Sequence, residues 1–287
     1  MKIAILGYGP ISEKLAHDLS QDAKVELFTS RKVSNLGVPV HEYESFLEKE
    51  LDFDVLILAW RGLPKNGTEK ADVLRYLVKN LPTRSLIINL SSVAVYGQNS
   101  SVNTEETEPH PINDYGYSKF FLERYLNIFA TSTVCNLRIS NVFGHPNFDD
   151  VLNRMLHAAR SEIAIDIVSK NEVKRDFISI NTLVENLQSL LFVFHKINHR
   201  ETLNVSSGFS LALTDLIRIV ETCSNKRVPF LEQKGSTDLI LNSMISNKKL
   251  RSILKNHEKS EMAEITSYLQ EIISKSNINL IPRTNQS

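Results

Sequence analysis

Tyr115 and Lys119, within Asp114-Tyr-Gly-Tyr-Ser-Lys119, are the residues whose types and spacing point most directly to chemistry. A tyrosine four residues before a lysine sets a phenol and an ammonium one above the other on a single helix face. A phenol ionises near pH ~10, and an adjacent cation favours the phenolate, so such a pair can exchange a proton near neutrality. No other tyrosine in the chain has a lysine four residues later. Tyr117 has Phe121 at that distance, and Lys119, two residues on, faces elsewhere. The pair follows Ser91-Ser-Val-Ala-Val-Tyr-Gly97 by about one loop, and the chain opens on a glycine turn. The order of these three segments gives the pair its meaning.

The turn is Gly7-Tyr-Gly9-Pro-Ile-Ser12, placed after an apolar strand and at the start of a helix, the context a dinucleotide fingerprint requires. Gly7 permits the tight turn, Gly9 lets backbone approach a pyrophosphate, and the helix N-terminus offers N–H groups to the anion. Ser12 stands where a third glycine is usual, and its small side chain still permits close helix–strand packing. At the end of the second strand an NAD site places a carboxylate for the ribose hydroxyls, but here the residues are Thr29-Ser30-Arg31. A guanidinium matches a 2′-phosphate, so NADP(H) is favoured over NAD(H).

These groups need a scaffold, and the hydrophobic pattern supplies one. Ile3–Leu6, Val25–Thr29, Val55–Ala59, Leu86–Leu90 and Val134–Ile139 read as buried strands. Between them Ile11–Ser20, Ser45–Glu50, Thr68–Asn80 and Tyr115–Ala130 read as helices. This alternation predicts an α/β fold, a Rossmann doubly wound parallel sheet covered on both faces. Beyond Gly144 the pattern loosens: Asp150–Ser161 reads as a helix, Ile163–Val168 as a strand and Asn181–Lys196 as a long helix. From Leu211 the chain reads as helical and polar, ending in a loose tail at Ile281–Ser287. The expected division is a cofactor-binding domain over 1–144 and 171–205, with a smaller discontinuous substrate lobe over 145–170 and 206–287.

With these segments assembled, the chain resembles the extended short-chain dehydrogenase/reductase superfamily, in particular its nucleotide-sugar epimerases, dehydratases and reductases. The resemblance runs from Lys2 to about Leu213. It rests on the glycine turn, on Ser91–Gly97, Pro109-His-Pro111, Tyr115–Lys119, Leu137-Arg-Ile-Ser-Asn-Val-Phe-Gly144 and Arg175-Asp-Phe-Ile178. It implies that Ser92 hydrogen-bonds the reacting oxygen, that Tyr115 passes the proton, and that Lys119 lowers the phenol pKa while holding the nicotinamide ribose. Dehydratases of the family carry Asp-Glu directly after the hydroxyl residue. Val93-Ala94 stands there instead and cannot move a proton, which argues against dehydration. The expected cofactor site comprises Gly7, Tyr8, Gly9, Pro10 and Ile11 of the turn, Ser30 and Arg31, Ala59 and Trp60, and Tyr115, Lys119 and Val142. The expected substrate contacts are Ser92, Val93, Asn141 and Arg175, the last toward a nucleoside diphosphate. A second arginine is usual near a C-terminal Gly-Asp, whereas this chain offers Lys234 before Gly235 and Asp238. The leading expectation is reduction of a keto group by NADPH on a nucleotide-activated deoxysugar. A nucleotide-sugar epimerase is the alternative, and a non-catalytic NADP-sensing protein a third reading.

Bulk properties narrow the setting. Lysine and arginine balance aspartate and glutamate at zero net charge over 287 residues, which argues against nucleic acid as a partner. Cys135 and Cys223 form no metal or redox spacing, no apolar run approaches a membrane span, and Lys2–Leu6 already reads as the first strand. A soluble, cytoplasmic protein without a membrane partner is expected. His195 and His199 read as the end of a surface helix, so no metal site is expected. The Tyr115 helix is apolar nearly all round, with Phe120, Phe121, Leu122, Tyr125, Leu126, Ile128 and Phe129. Either a homodimer partner or the chain's own C-terminal lobe must cover it.

Overall fold

The computed structural model of the chain describes residues 1–33, 36–62, 68–168, 173–233, 243–255 and 261–275. Alternating elements build its first half: β1 (Lys2–Leu6), α1 (Pro10–Leu19), β2 (Lys24–Phe28), β3 (Val40–His41), α2 (Tyr43–Glu48), β4 (Val55–Leu58), α3 (Thr68–Asn80), β5 (Leu86–Ser92), α4 (Asp114–Phe129) and β6 (Thr133–Ile139). Beyond Ile139 follow β7 (Asn141–Phe143), α5 (Val151–Ser161), β8 (Ile165–Val168), β9 (Lys174–Ser179), α6 (Ile180–Phe192) and β10 (Arg200–Val205). The last described elements are β11 (Ser210–Ala212), α7 (Leu213–Ser224), β12 (Phe230–Gln233), α8 (Lys248–Leu254) and α9 (Glu261–Ser274).

Seven strands form one sheet in the order β3-β2-β1-β4-β5-β6-β10, with every neighbouring pair parallel. β4 and β5 are buried at every residue, as the apolar runs require of strands covered on both faces. One face packs α1 and α6 through Leu15, Leu19, Leu183 and Leu187. The other packs α2, α3 and α4 through Phe46, Leu74, Leu77, Leu122 and Leu126. The strand order reverses between β1 and β4, and this opens a crevice at their carboxyl ends. The architecture is Rossmann-like α/β.

A second core joins α5, α7 and α9 to a three-stranded sheet, β7-β9-β11, and the β8–β12 pair. The sequence reading missed most of these strands. β7 and β11 have three residues each, too few to show a period, and β11 and β12 lie in the stretch read as helical. The long helix expected to reach Lys196 stops at Phe192 and gives way to a 3₁₀ turn over Phe194–Lys196. His195 and His199 therefore do not share a helical face. Among the described residues no cluster of three metal-ligating side chains occurs, and no helix is long and apolar enough to cross a membrane. The expected tail over 281–287 lies outside the described residues.

Helix α4 is fixed at both ends. The Asn113 side chain accepts a hydrogen bond from the Gly116 amide at 2.9 Å, capping its N-terminus. At the other end the Arg200 guanidinium donates to the carbonyls of Asn127, Ala130 and Ser132, a cation against the negative end of the helix dipole.

Candidate active site

The crevice is a cleft of about 1060 Å³ at the carboxyl ends of the central strands. Its floor is the glycine turn from Tyr8 to Ser12, its sides Arg31, Ala59 to Arg61 and Leu90 to Ser92, and its far wall Ser140, Val142 and Asn147 to Asp149. Tyr115 and Lys119 enter from α4. A second hollow, of about 670 Å³, lies at the amino ends of the central strands among Lys2, Asp52, Asp54 and Arg84. Those charges are already paired with one another, and we place no chemistry there.

Gly7 has φ +109°, and a Cβ there would meet Trp60 Cδ1 at 2.9 Å and the Ala59 carbonyl oxygen at 3.0 Å. Only glycine lets the turn and the end of β4 approach so closely. Gly9 is extended, and nothing lies within 4 Å of the position a Cβ would take, so the backbone of the turn faces open space. Pro10 begins α1, whose first N–H groups point into the same space, and Ser12 is buried against the sheet. This open backbone and helix terminus fit a pyrophosphate.

Lys119 is buried, and its Nζ donates to the carbonyls of Trp60 and, at 2.6 Å, Leu90. Burial and the nearby Lys70 ammonium lower its pKa to about 7, while Glu123 pulls it upward. The Tyr115 ring lies 5.7 Å from this ammonium. Tyr115 opens to the cleft with 42% of its surface accessible, and its phenol lies beside Ser92. Surrounding protein raises the phenol pKa, whereas the Ser92 hydroxyl and the Arg61 charge lower it. With so much of the residue accessible, hydration offsets part of the upward push. The expectation that Lys119 depresses the phenol pKa is therefore not met: the shift is upward, and the ammonium is directed at two carbonyls. Ser92 caps the short turn after β5, its Oγ accepting from the Ala94 amide at 3.2 Å.

Tyr8, Gly9, Pro10, Ile11, Arg31, Ala59, Trp60, Ser92, Tyr115, Lys119 and Val142 all face the cleft. Gly7 supports it from behind, and Ser30 is exposed beside it. Val93 packs instead toward Val95, Tyr96 and Ile245. Asn141 donates its side-chain amide to the Asp176 carbonyl at 2.8 Å. Arg175 lies on β9, away from the cleft wall, where burial lowers its pKa to about 10. Its neighbour Asp176 turns inward and accepts from the Ser207 and Gly208 amides at 3.0 and 2.9 Å. Lys234, Gly235 and Asp238 lie outside the described residues.

The sequence reading missed Arg61, Ser91, Ser140 and the stretch Asn147 to Asp149, all in the cleft wall. Arg61 carried a usable signal, since it lies three residues past the strand that flanks the glycine turn. The residues around Phe148 carried none, because only the path of the chain after β7 brings them there.

Comparison with known proteins agrees with this geometry. The model of the NAD dependent epimerase/dehydratase family matches residues 64–206. The chain is 29% identical over 210 residues to dTDP-4-dehydro-6-deoxyglucose reductase of Escherichia coli, a match covering 69% of this chain and 60% of the reductase. It therefore spans less than two thirds of that relative's length. It is 27% identical over 243 residues to GDP-6-deoxy-D-talose 4-dehydrogenase of Aggregatibacter actinomycetemcomitans, covering 77% and 79% of the two chains. Among solved structures, MoeE5 in complex with UDP-glucose and NAD superposes with a TM-score of 0.82 at 18% identity, covering 96% of this chain and 99% of that one. UDP-glucuronic acid 4-epimerase from Bacillus cereus superposes with a TM-score of 0.79 at 18% identity, covering 96% and 100%. At such identity these two show a common fold. Taken with the glycine turn and the cleft, the matches place residues 64–206 of the chain in the NAD dependent epimerase/dehydratase family.

Proposed function

We propose that the chain uses NADPH to reduce the C4 keto group of a nucleotide-activated deoxysugar. The observation that carries this reading is the convergence of Ser92, Tyr115 and Lys119 on one cleft beside the glycine turn. Reduction of a ketone ends with an alkoxide that must receive a proton, and a phenol that opens to the cleft can give one. Val93 and Ala94 supply no acid or base, and Asp149 is the one carboxylate among the described cleft-lining residues. Both relatives compared by sequence are named for oxidation or reduction at position 4 of a 6-deoxy sugar.

A bound reduced nicotinamide supplies the hydride. Tyr115 Oη gives its proton to the developing alkoxide, and Ser92 Oγ donates a hydrogen bond to the same oxygen as charge grows there. Lys119, with a pKa of about 7, is partly protonated at neutral pH and is assigned to the nicotinamide ribose, while solvent restores the phenol proton. For the cofactor, Arg31 at the end of β2 supports NADPH. It acts with Lys70, whose ammonium pKa is lowered by burial and then by Arg31 itself. Arg31 and Lys70 converge beside Glu69, and the Arg31 guanidinium suits a 2′-phosphate. Asn141 and Arg175 are assigned to the substrate side, Arg175 toward the diphosphate. The epimerase reading draws on solved structures of this fold that hold NAD, one of them a UDP-glucuronic acid 4-epimerase.

The active form is proposed to be a homodimer paired through α4. Phe121 and Ile128 are 53% and 61% exposed, and Phe121, Tyr125 and Phe129 form a ladder with ring separations of 6.0 and 4.7 Å. The described part of the C-terminal lobe leaves this face open. Light scattering on the native chain and on Phe121→Glu tests it: a native monomer refutes the dimer.

Incubation with NADPH and a panel of dTDP-, UDP- and GDP-4-keto-6-deoxyhexoses tests the reaction. One member should oxidise NADPH in stoichiometric amount. Interconversion of a sugar with the cofactor unchanged would establish an epimerase instead.

A further inference from the structure

Tyr115, Lys119 and Glu123 follow one another at intervals of four along α4, so the three share a helix face. The reaction above uses the first two and leaves Glu123 without a task. Its side chain is 3% exposed, and it forms a two-pronged ion pair with Arg138 of β6, itself 7% exposed. Arg138 Nε donates to Oε1 at 3.1 Å and Nη2 to Oε2 at 2.8 Å. The Ser91 hydroxyl also donates to Oε1. Beyond the pair, the Arg138 guanidinium lies 4.8 Å from the centre of the Tyr96 ring, and Tyr96 Oη donates to Asn204 Oδ1 of β10 at 2.6 Å.

Buried ion pairs are poor sources of stability, since apolar residues of similar volume often serve as well. The surroundings of this pair are more informative. Ser91 sits between Leu90, whose carbonyl receives the Lys119 ammonium, and Ser92, which lines the cleft with Tyr115. One carboxylate thus touches the strand that carries both partners of the Tyr–Lys pair.

We infer that Glu123 is a positioning residue: it clamps α4 to the ends of β5 and β6, and its charge keeps Lys119 an ammonium at the floor of the cleft. This rests on the reading that Lys119 serves the reaction. The groups facing Lys119 come from four elements. Lys70 of α3 repels it, and α4 contributes Glu123 and the Tyr115 ring. The end of β4 and β5 offer the carbonyls of Trp60 and Leu90. Burial and Lys70 both favour the neutral amine, and Glu123 is the charge that opposes them. Without that charge, Lys119 would lose its proton at a lower pH.

The test is the titration midpoint of Lys119, read by NMR from lysine Cε resonances in ligand-free protein and assigned with Lys119→Arg. Glu123→Gln should lower the midpoint by about one pH unit or more, a tenfold loss of proton affinity. Glu123→Asp keeps the charge and should stay within a few tenths of a unit of the native value. The E123Q/R138M double variant leaves no buried charge unpaired, retains the fold even if E123Q alone does not, and should still titrate below the native chain. A purely structural glutamate would change the melting temperature and leave the midpoint in place. The inference fails if the double variant titrates at the native pH, or if Glu123→Asp falls as far as Glu123→Gln. No turnover is involved, so a native midpoint overturns this inference and leaves the reductase reading standing. Absence of NADPH oxidation would do the reverse.

Discussion

Gly116 offers the sharpest test of how the proton-transfer residues are held together. It lies in the first turn of α4, between Tyr115 and Tyr117, where the helix meets the short turn after β5. A Cβ at this position would sit 2.6 Å from the Ala94 carbonyl oxygen and 3.0 Å from Pro111 Cβ. Ordinary contact begins at 3.4 Å, so Gly116→Ala forces the start of α4 and the Val93–Tyr96 turn apart by about 0.8 Å. That turn is capped by Ser92, and the displaced helix carries Tyr115, so the separation falls directly between these two side chains. A misplacement near 1 Å at reacting groups costs on the order of 10²-fold in rate, or about 2.7 kcal/mol in the barrier. Stability responds differently: the overpacking costs roughly 1–3 kcal/mol, and the exchange of glycine for alanine within a helix returns about 1. Gly116→Ala should therefore melt within a few degrees of the native chain and bind NADPH normally, yet turn over about a hundredfold more slowly. Steady-state NADPH oxidation, with melting curves and fluorescence titration of the cofactor, reads all three quantities. A variant with native turnover would show that α4 and the β5 turn are not held in register by this contact.

Other expectations follow from the same geometry. Tyr115→Phe should reduce kcat by about 10²–10⁴-fold with cofactor affinity retained, and full activity in that variant would remove Tyr115 from the mechanism. Arg31→Ala should weaken NADPH binding by about 1.5–3 kcal/mol and leave NADH nearly unaffected, so equal losses for both cofactors would contradict a 2′-phosphate contact. Burial raises the Asp176 pKa to about 7, above the ~3.9 of an unfolded aspartate, so this carboxyl weakens the fold as pH rises from about 4 toward 7. Asp176→Asn loses an acceptor for the Ser207 or Gly208 amide and should be less stable throughout. Its stability should nevertheless decline less between pH 5 and pH 7 in urea melts, and an unchanged decline would count against the shift.

What was legible in the sequence was local. The i, i+4 spacing of Tyr115 and Lys119 is set by helix geometry alone, and Thr68–Asn80 could be bounded from its apolar period. Gly7 announced itself because a tight turn after a strand leaves few other residues able to adopt φ +109°. What escaped was non-local. The β7-β9-β11 sheet joins segments up to some seventy residues apart, and its strands are too short for a period of two to register. The phenol environment was misjudged for a related reason, because Lys119 was weighed by its distance along the helix. The carbonyls of Trp60 and Leu90 that engage it come from other strands. Glu123 could have been seen as the third member of a four-residue spacing, but its partner Arg138 lies on the next strand.

Transfer of label from NADPH carrying deuterium at the reactive C4 position tests the central claim most directly. With a 4-keto-6-deoxyhexose nucleotide as acceptor, the account predicts one deuterium bound to C4 of the sugar product and one NADPH oxidised per product formed. Tyr115→Phe should slow the appearance of both signals by about 10²–10⁴-fold. An inverted sugar without deuterium, formed while the cofactor keeps its label, would contradict net reduction and make the chain an epimerase.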